Sequence, residues 1–422
     1  MKAIGRMAGR LLTFLAGWAV CAASIAATVT GVVIDAQSHR PVAGAIVTIG
    51  DRVTLVDSNG RFTSDAAERT FINVRAPGYR RAQATFTGEG DVSISLLPFR
   101  PRAVYLSAFG VTSTPLREAA VALIGPTSVN ALVIDMKGDR GMTPYHSAAR
   151  EAIGAAAYVG EHAPTIDTFQ SIIDGLHSRG IYLIARIVVF KDDPLAQAHP
   201  EWAVRNAEGQ PWRDREDLHW VDPFSQDVWR HNLDLAEEAA RAGFDEIQFD
   251  YVRFPDASGL SFALPNTRAN RTAAIVGFLR AARERLVRYN VFIAADIFGY
   301  VLWNLDDTAI GQQLETLGAP VDYISPMLYP SGFTWGLPGC PDPVADPGQI
   351  VRRSLAEAKR RTGWPGVRFR PWLQGFRDYA FDHREFNADD IRAQVDAAEA
   401  ADTDGWMLWN PRNRYDAAQL PH

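Results

Sequence analysis

Three aspartates, Asp135, Asp250 and Asp296, close short apolar runs at residues 131–138, 246–255 and 291–299. A carboxylate carried to the end of a buried strand is costly unless it has a partner or a task. Paired carboxyl groups are what glycoside hydrolysis requires, one to protonate the leaving oxygen and one to attack or to steer water. Side chains on a strand alternate with period two, so Asp250 shares a face with Gln248 and looks into a barrel mouth when Phe249 faces a helix layer. Asp250 is therefore expected to act as nucleophile or electrostatic stabiliser, held ionised by Arg253 or Lys137. Asp296 is expected to be the general acid, its proton retained by neighbouring negative charge, with Asp135 as the alternative acid. A buried ion pair with Arg253 or another cation is the purely structural alternative for Asp250. Lys137, Arg186, Gln248, Tyr251, Arg253, Tyr329, Gln374, Trp409 and Asn410 stand at or near the ends of similar runs. Aromatic faces stack on sugar C–H surfaces while amides and charged groups bond the hydroxyls, so these residues are candidates for holding a glycan. Trp202, Trp212, Trp220 and Trp229 crowd one connecting segment, and Trp212 joins the candidate binding set.

Eight strand-like runs carry these groups, at 103–110, 131–138, 181–190, 246–255, 291–299, 321–330, 369–376 and 405–411. Helix-patterned stretches at 166–179, 228–242, 269–289, 350–362 and 388–401 separate most of them. The alternation predicts a (β/α)8 TIM barrel over residues 103–422, whose strand ends would form the active mouth. An open doubly wound sheet is the runner-up, but no GxGxxG turn follows the first run. GxSxG and HExxH are also missing from the sequence, which weighs against esterase and zinc-protease chemistry. His199, His219 and His231 lack zinc spacing, so no metal and no cofactor are expected. A metal-dependent hydrolase built on Asp135, Asp139 and Asp250 is a weaker alternative, since no histidines accompany those acids.

Ahead of the barrel, residues 28–98 alternate apolar and polar positions between turn signals such as Asn59-Gly60 and Pro77-Gly78, which reads as a small all-β sandwich. A proline-rich stretch at 98–102 links the two parts. Lys2, Arg6 and Arg10 precede an apolar run at 11–23 and small residues to Ala27, the pattern of a signal peptide over residues 1–27. Export is expected, to a periplasm or the extracellular space, without stable membrane insertion once the leader is removed. Removing those three bases takes the formal charge from −6 to about −9, which argues against nucleic-acid binding. Only Cys340 remains outside the leader, so an intrachain disulfide is excluded in the exported form.

The residues at 31–35, 41–47, 57–62 and 77–79 resemble the carboxypeptidase regulatory-like, or prealbumin-like, modules of secreted enzymes. That resemblance implies a spacer, docking or carbohydrate-contacting role with no chemistry of its own. The barrel segments at 133–137, 202–212, 222–224, 243–255, 326–330 and 406–410 together resemble the bacterial putative glycoside hydrolase family that is distantly similar to the alpha-amylase superfamily. The likeness spans about residues 103–415 and implies a hydrolase-like site on a barrel. In alpha-amylase-like barrels the nucleophile is an Asp ending the fourth strand, which falls on Asp250, and the acid/base is a Glu ending the fifth, where this chain has Asp296. The expected activity is cleavage of O-glycosidic bonds in an extracellular or envelope polysaccharide. A non-catalytic, exported glycan-binding protein is the alternative, and the Asp in place of Glu is the feature that favours it.

Overall fold

A computed structural model of the protein describes residues 27–422 except Glu89 and Glu161; the expected leader up to residue 26, Cys21 included, lies outside the described residues. Seven strands form the N-terminal part: β1 (Ala27–Asp35), β2 (Ile46–Ile49), β3 (Arg52–Leu55), β4 (Arg61–Ala66), β5 (Phe71–Arg75), β6 (Ala82–Thr85) and β7 (Val92–Leu96). They make a β4-β1-β7 sheet and a β3-β2-β5-β6 sheet around one core that includes Val33, Val47, Phe62, Ile72, Val74 and Ile94. Apolar-alternating runs at 29–34, 45–49, 53–56, 71–74 and 92–96 mark five of these strands in the sequence. In β4 only Phe62 and Ala66 face inward, and β6 has no fully buried residue, so neither carries an apolar run.

Eight further strands close a parallel barrel: β8 (Arg102–Leu106), β9 (Ala131–Lys137), β10 (Tyr182–Val188), β11 (Glu246–Asp250), β12 (Phe292–Phe298), β13 (Tyr323–Met327), β14 (Trp372–Gln374) and β15 (Trp406–Trp409). Neighbours in sequence are neighbours in the barrel, and β15 pairs with β8 to close it. The fold is thus a TIM barrel preceded by a β-sandwich. Strands β9 and β10 are buried at every position, as parallel strands covered on both faces must be. Phe249 of β11 faces outward onto Phe278, ring centroids 5.1 Å apart, on the helix Arg268–Leu286. Asp250 therefore faces the mouth. The long helices begin where the local chemistry dictates. Ser225 caps Gln226–Arg241 by accepting from Val228 N–H, and Asn387 with Asp390 forms a capping box on Ala388–Ala400. Among the described residues no helix is long and apolar enough to cross a membrane.

The sandwich sits at the end of the barrel away from the mouth. Arg75 is buried between Asn290 and Asp322, Arg80 donates to Gly180 O at 3.1 Å, and Arg81 donates to Gly243 O at 3.0 Å. Those four partners precede β12, β13, β10 and β11, so the contact is with the N-terminal rim. The sandwich takes no part in shaping the opposite face, where barrel enzymes work.

Inside the same rim lies a closed ionic cluster. Arg370 pairs with Glu246 at 2.5 Å and Asp404 at 2.6 Å, and its guanidinium lies 4.1 Å from the Tyr323 ring centre. Arg370→Met would leave two carboxylates buried without their cation, an expected cost of about 3–5 kcal/mol. Burial already raises the pKa values of both acids, so the deficit should shrink as the pH falls and they take up protons. Urea unfolding at pH 8 and pH 5 checks both the size and the sign.

Candidate active site

Arg186, on β10, is the hub of the mouth. Its Nη1 reaches Asp135 Oδ1 at 2.7 Å and its Nη2 reaches Asp139 Oδ1 at 2.8 Å. Nε and Nη2 both reach Asp250 Oδ2, at 2.9 and 2.6 Å. The guanidinium also lies 4.8 Å from the Trp409 ring centre. Burial works against this charge, but Asp135, Asp250 and Asp139 outweigh it and hold the Arg186 pKa well above its ordinary value. The other Asp250 oxygen accepts from the backbone N–H of Tyr251 at 2.6 Å. Tyr251 adopts φ 48°, a left-handed conformation costing a non-glycine residue about 1–2 kcal/mol. This turn ends β11 and sets the tyrosine ring at the cleft wall.

Asp296, on β12, has a different environment. It is 1% exposed; Oδ1 accepts from Trp372 Nε1 at 2.9 Å, and Oδ2 has no hydrogen-bond partner among the described residues. Burial and then the charge of Asp250 push its pKa well above the ordinary carboxylate value, against Arg186 and the Trp372 bond. One cleft of about 480 Å³ is lined by Asp250 and Asp296 together with Asp139, Arg186, Tyr251, Arg253, Phe298, Tyr329, Phe376, Tyr379 and Trp409. The cleft thus holds an ion-paired carboxylate and a carboxyl group that favours its protonated form, an arrangement that separates acid and base roles.

Several expected site residues lie elsewhere. Asp135 sits behind the cleft wall with both oxygens engaged, one by Arg186 and one by Tyr105 Oη at 2.5 Å. Burial first, with Asp139 assisting against Arg186, raises its pKa to about 6. Lys137 does not reach the mouth. The β9–β10 register slips between Asp135, opposite Arg186, and Lys137, opposite Ile187, so the irregularity turns Lys137 outward with Ile187. There it bonds Asp192 at 2.6 Å and Asn232 at 2.8 Å. Asp192 also pairs with Arg150, which donates to Gly141 O at 2.7 Å. Gly141 has φ 70°, and a Cβ there would stand 2.5 Å from Asp192 Oδ1. This buried cluster ties down the loop that carries Asp139, so Lys137 supports the site from outside it.

Gln248 faces inward one layer below Asp250, with its amide on Ser325 Oγ at 3.2 Å. Gln374 holds Ser331 through two bonds, of 3.0 and 2.6 Å, bracing the loop after β13. Asn410 bridges to Gly375 O at 2.8 Å and borders a small side pocket. Arg253 lines the cleft but stacks among Trp220, Tyr251 and Phe298, 4.5–4.9 Å from the ring centres, and the ion pair of Asp250 is made by Arg186 instead. Trp212 lines an adjoining groove. The roles of Tyr105, Phe298, Trp372, Phe376 and Tyr379 are absent from the expectations drawn from the sequence. Period-two alternation carries a signal for two of them, because Phe298 lies two residues after Asp296 on β12 and Trp372 two residues before Gln374 on β14.

Residues 103–415 match the model of the DUF4015 family, described as a putative glycosyl hydrolase domain. The chain belongs to this family. Among solved structures, a hypothetical protein from Ruminiclostridium thermocellum ATCC 27405 is 36% identical over 46% of this chain and 96% of its own, with TM-score 0.40. The PgaB (BpsB) glycoside hydrolase domain from Bordetella bronchiseptica is 17% identical over 76% of this chain and 97% of its own, with TM-score 0.55. A β-galactosidase from the psychrophilic Marinomonas ef1 is 10% identical over 76% of this chain and 58% of its own, with TM-score 0.54. The last two share the barrel fold. No curated protein sequence matches this chain.

Proposed function

We propose that the protein is an exported glycoside hydrolase that cleaves O-glycosidic bonds in an extracellular or envelope polysaccharide. The observation that carries this reading is that one cleft is lined by both Asp296, whose Oδ2 has no hydrogen-bond partner among the described residues, and the Arg186-bound Asp250. Asp296 donates its proton to the glycosidic oxygen as the bond to the anomeric carbon breaks. Asp250 meets the developing positive charge, either by attacking the anomeric carbon or by steering water to it. Arg186 pairs with Asp250 and fixes its carboxylate at the mouth, while Trp409, Tyr329 and Tyr251 offer faces to the sugar rings. Membership of the glycosyl hydrolase-like family supports the reading, and the basic, apolar, small-residue pattern of the first 27 residues supports export.

The pH dependence has a definite sign. Asp296 works only while protonated, and its pKa is raised, so kcat/KM should fall as the pH rises through that value. Assayed on unactivated short oligosaccharides of the polymer that is cut, the wild type should show this alkaline limb and Asp296→Asn should lose it from its residual activity; persistence of the limb would assign it to another group. The function itself is tested by reducing-end release from a panel of α- and β-linked polysaccharides that includes amino-sugar polymers. At least one should be cut. Retained binding without release from any of them would replace the hydrolase with a glycan-binding protein.

A further inference from the structure

We infer that the substrate is a long glycan chain lying right across the mouth, gripped on both sides of the bond that breaks and therefore cut internally. This inference rests on the hydrolase reading of Asp250 and Asp296 and adds to it the class of substrate and the residues that select it.

Beside the catalytic cleft lies a second groove of about 880 Å³, walled by Trp212, Trp220, Arg215 and Asp256. Glu216, Tyr251, Arg253 and Phe298 line both spaces, so the groove adjoins the cleft. A single small-ligand site occupies about 300–1,000 Å³, and the cleft alone, at about 480 Å³, meets that need. The groove is surplus to one sugar. Its wall is also built rather than loose. Bridges pair Ala203 with Val221, Arg205 with Pro211 and Arg213 with His219, and Trp212 N donates to Val204 O at 2.8 Å. Lys191 follows β10 closely in sequence and fastens the wall through Asp214 at 3.1 Å and Glu216 at 2.6 Å. Trp212 is only partly buried, so this frame presents an indole to the groove.

A second aromatic wall stands across the mouth. Phe376 and Tyr379 follow β14, and their rings are parallel with centroids 6.2 Å apart. Both line the cleft, and Tyr379 is 57% exposed. In the closed order β8 to β15, β10 is third and β14 seventh, so the two walls rise from opposite sides of the barrel. Asp250 and Asp296, from β11 and β12, lie between them. Aromatic faces thus stand on both sides of the catalytic pair, as a chain held beyond the reacting bond in both directions requires.

The test compares the wild type with Trp212→Ala and Trp212→Tyr on glycol chitosan, hydroxyethyl cellulose and pullulan. Viscosity and reducing ends are followed together, alongside turnover of short oligosaccharides from the polymer that is cut. The expected result is an early fall in viscosity. Trp212→Ala should lower kcat/KM on the long chain about 5- to 15-fold, with short oligosaccharides little affected and most of the loss restored in Trp212→Tyr. Release of small products from the start, with equal effects of Trp212→Ala on long and short substrates, would overturn the inference and leave the hydrolase standing. Electrophoresis through gels containing the same polymers separates the two ideas further. Retardation that depends on Trp212 without any hydrolysis would support the groove and remove the catalytic reading. Failure of both hydrolysis and retardation on all three polymers would overturn the groove as well.

Discussion

Asp296→Asn is expected to slow hydrolysis of an unactivated glycan by about 10²–10⁴-fold, the usual contribution of a positioned proton donor. The asparagine carbonyl can still accept the Trp372 Nε1–H bond, now 2.9 Å long, so the change removes the proton and little else. An aryl glycoside with a stable phenolate leaving group needs scarcely any protonation, and on it the loss should shrink strongly. Equal losses on both substrates would mean that Asp296 shapes the cleft rather than donating to the substrate. The same variant makes a stability prediction of opposite sign. A carboxyl whose folded pKa is raised is stabilising at low pH and becomes costly as the pH climbs past its unfolded value towards its folded one. Asn has no such cost, so Asp296→Asn should be at least as stable as the wild type above neutrality, as measured by urea unfolding. A site that sacrifices stability for function behaves in this way.

Arg186→Met should be the most damaging single change at the mouth. It removes the cation shared by Asp135, Asp139 and Asp250, two of which are almost fully buried, and the expected loss is about 3–5 kcal/mol. Activity should disappear with it, because Asp250 loses the guanidinium that fixes its carboxylate at the mouth. Asp135 already has its pKa raised to about 6 by burial, and without Arg186 it would take up a proton at still higher pH. The stability deficit should therefore be largest at pH 8 and smaller at pH 5. A deficit of the same size at both would contradict the ionic account. Arg186→Lys tests the geometry, since one ammonium cannot present three nitrogens to three carboxylates. Stability should be partly regained while activity stays low.

The barrel and the positions of Asp250 and Asp296 were legible because apolar runs of strand length alternate with helical periodicity, and a strand end fixes where its last side chain points. Pairing between distant strands was much less legible. Arg253 is three residues from Asp250 in sequence, yet Arg186, 64 positions away, holds the carboxylate. Lys137 misled for a local reason. A register slip invisible in the sequence reverses its face, while Asp135, two residues earlier, keeps the inward one. The tryptophan-rich segment divides in two. Trp202 stacks on His199 with centroids 3.9 Å apart, and Trp229 donates to Pro223 O and packs on Phe278, whereas Trp212 and Trp220 line the groove. The seat of the sandwich on the N-terminal rim was not readable either, because it depends on arginines reaching backbone carbonyls far along the chain.

The most direct measurement of the central claim is reducing-end release by the wild type and by Asp250→Asn, side by side on the polysaccharide panel, with folding of both verified by circular dichroism and thermal unfolding. The account predicts release by the wild type alone, while the variant still binds the polymer that the wild type cuts. Full hydrolytic activity in a folded Asp250→Asn protein would contradict it.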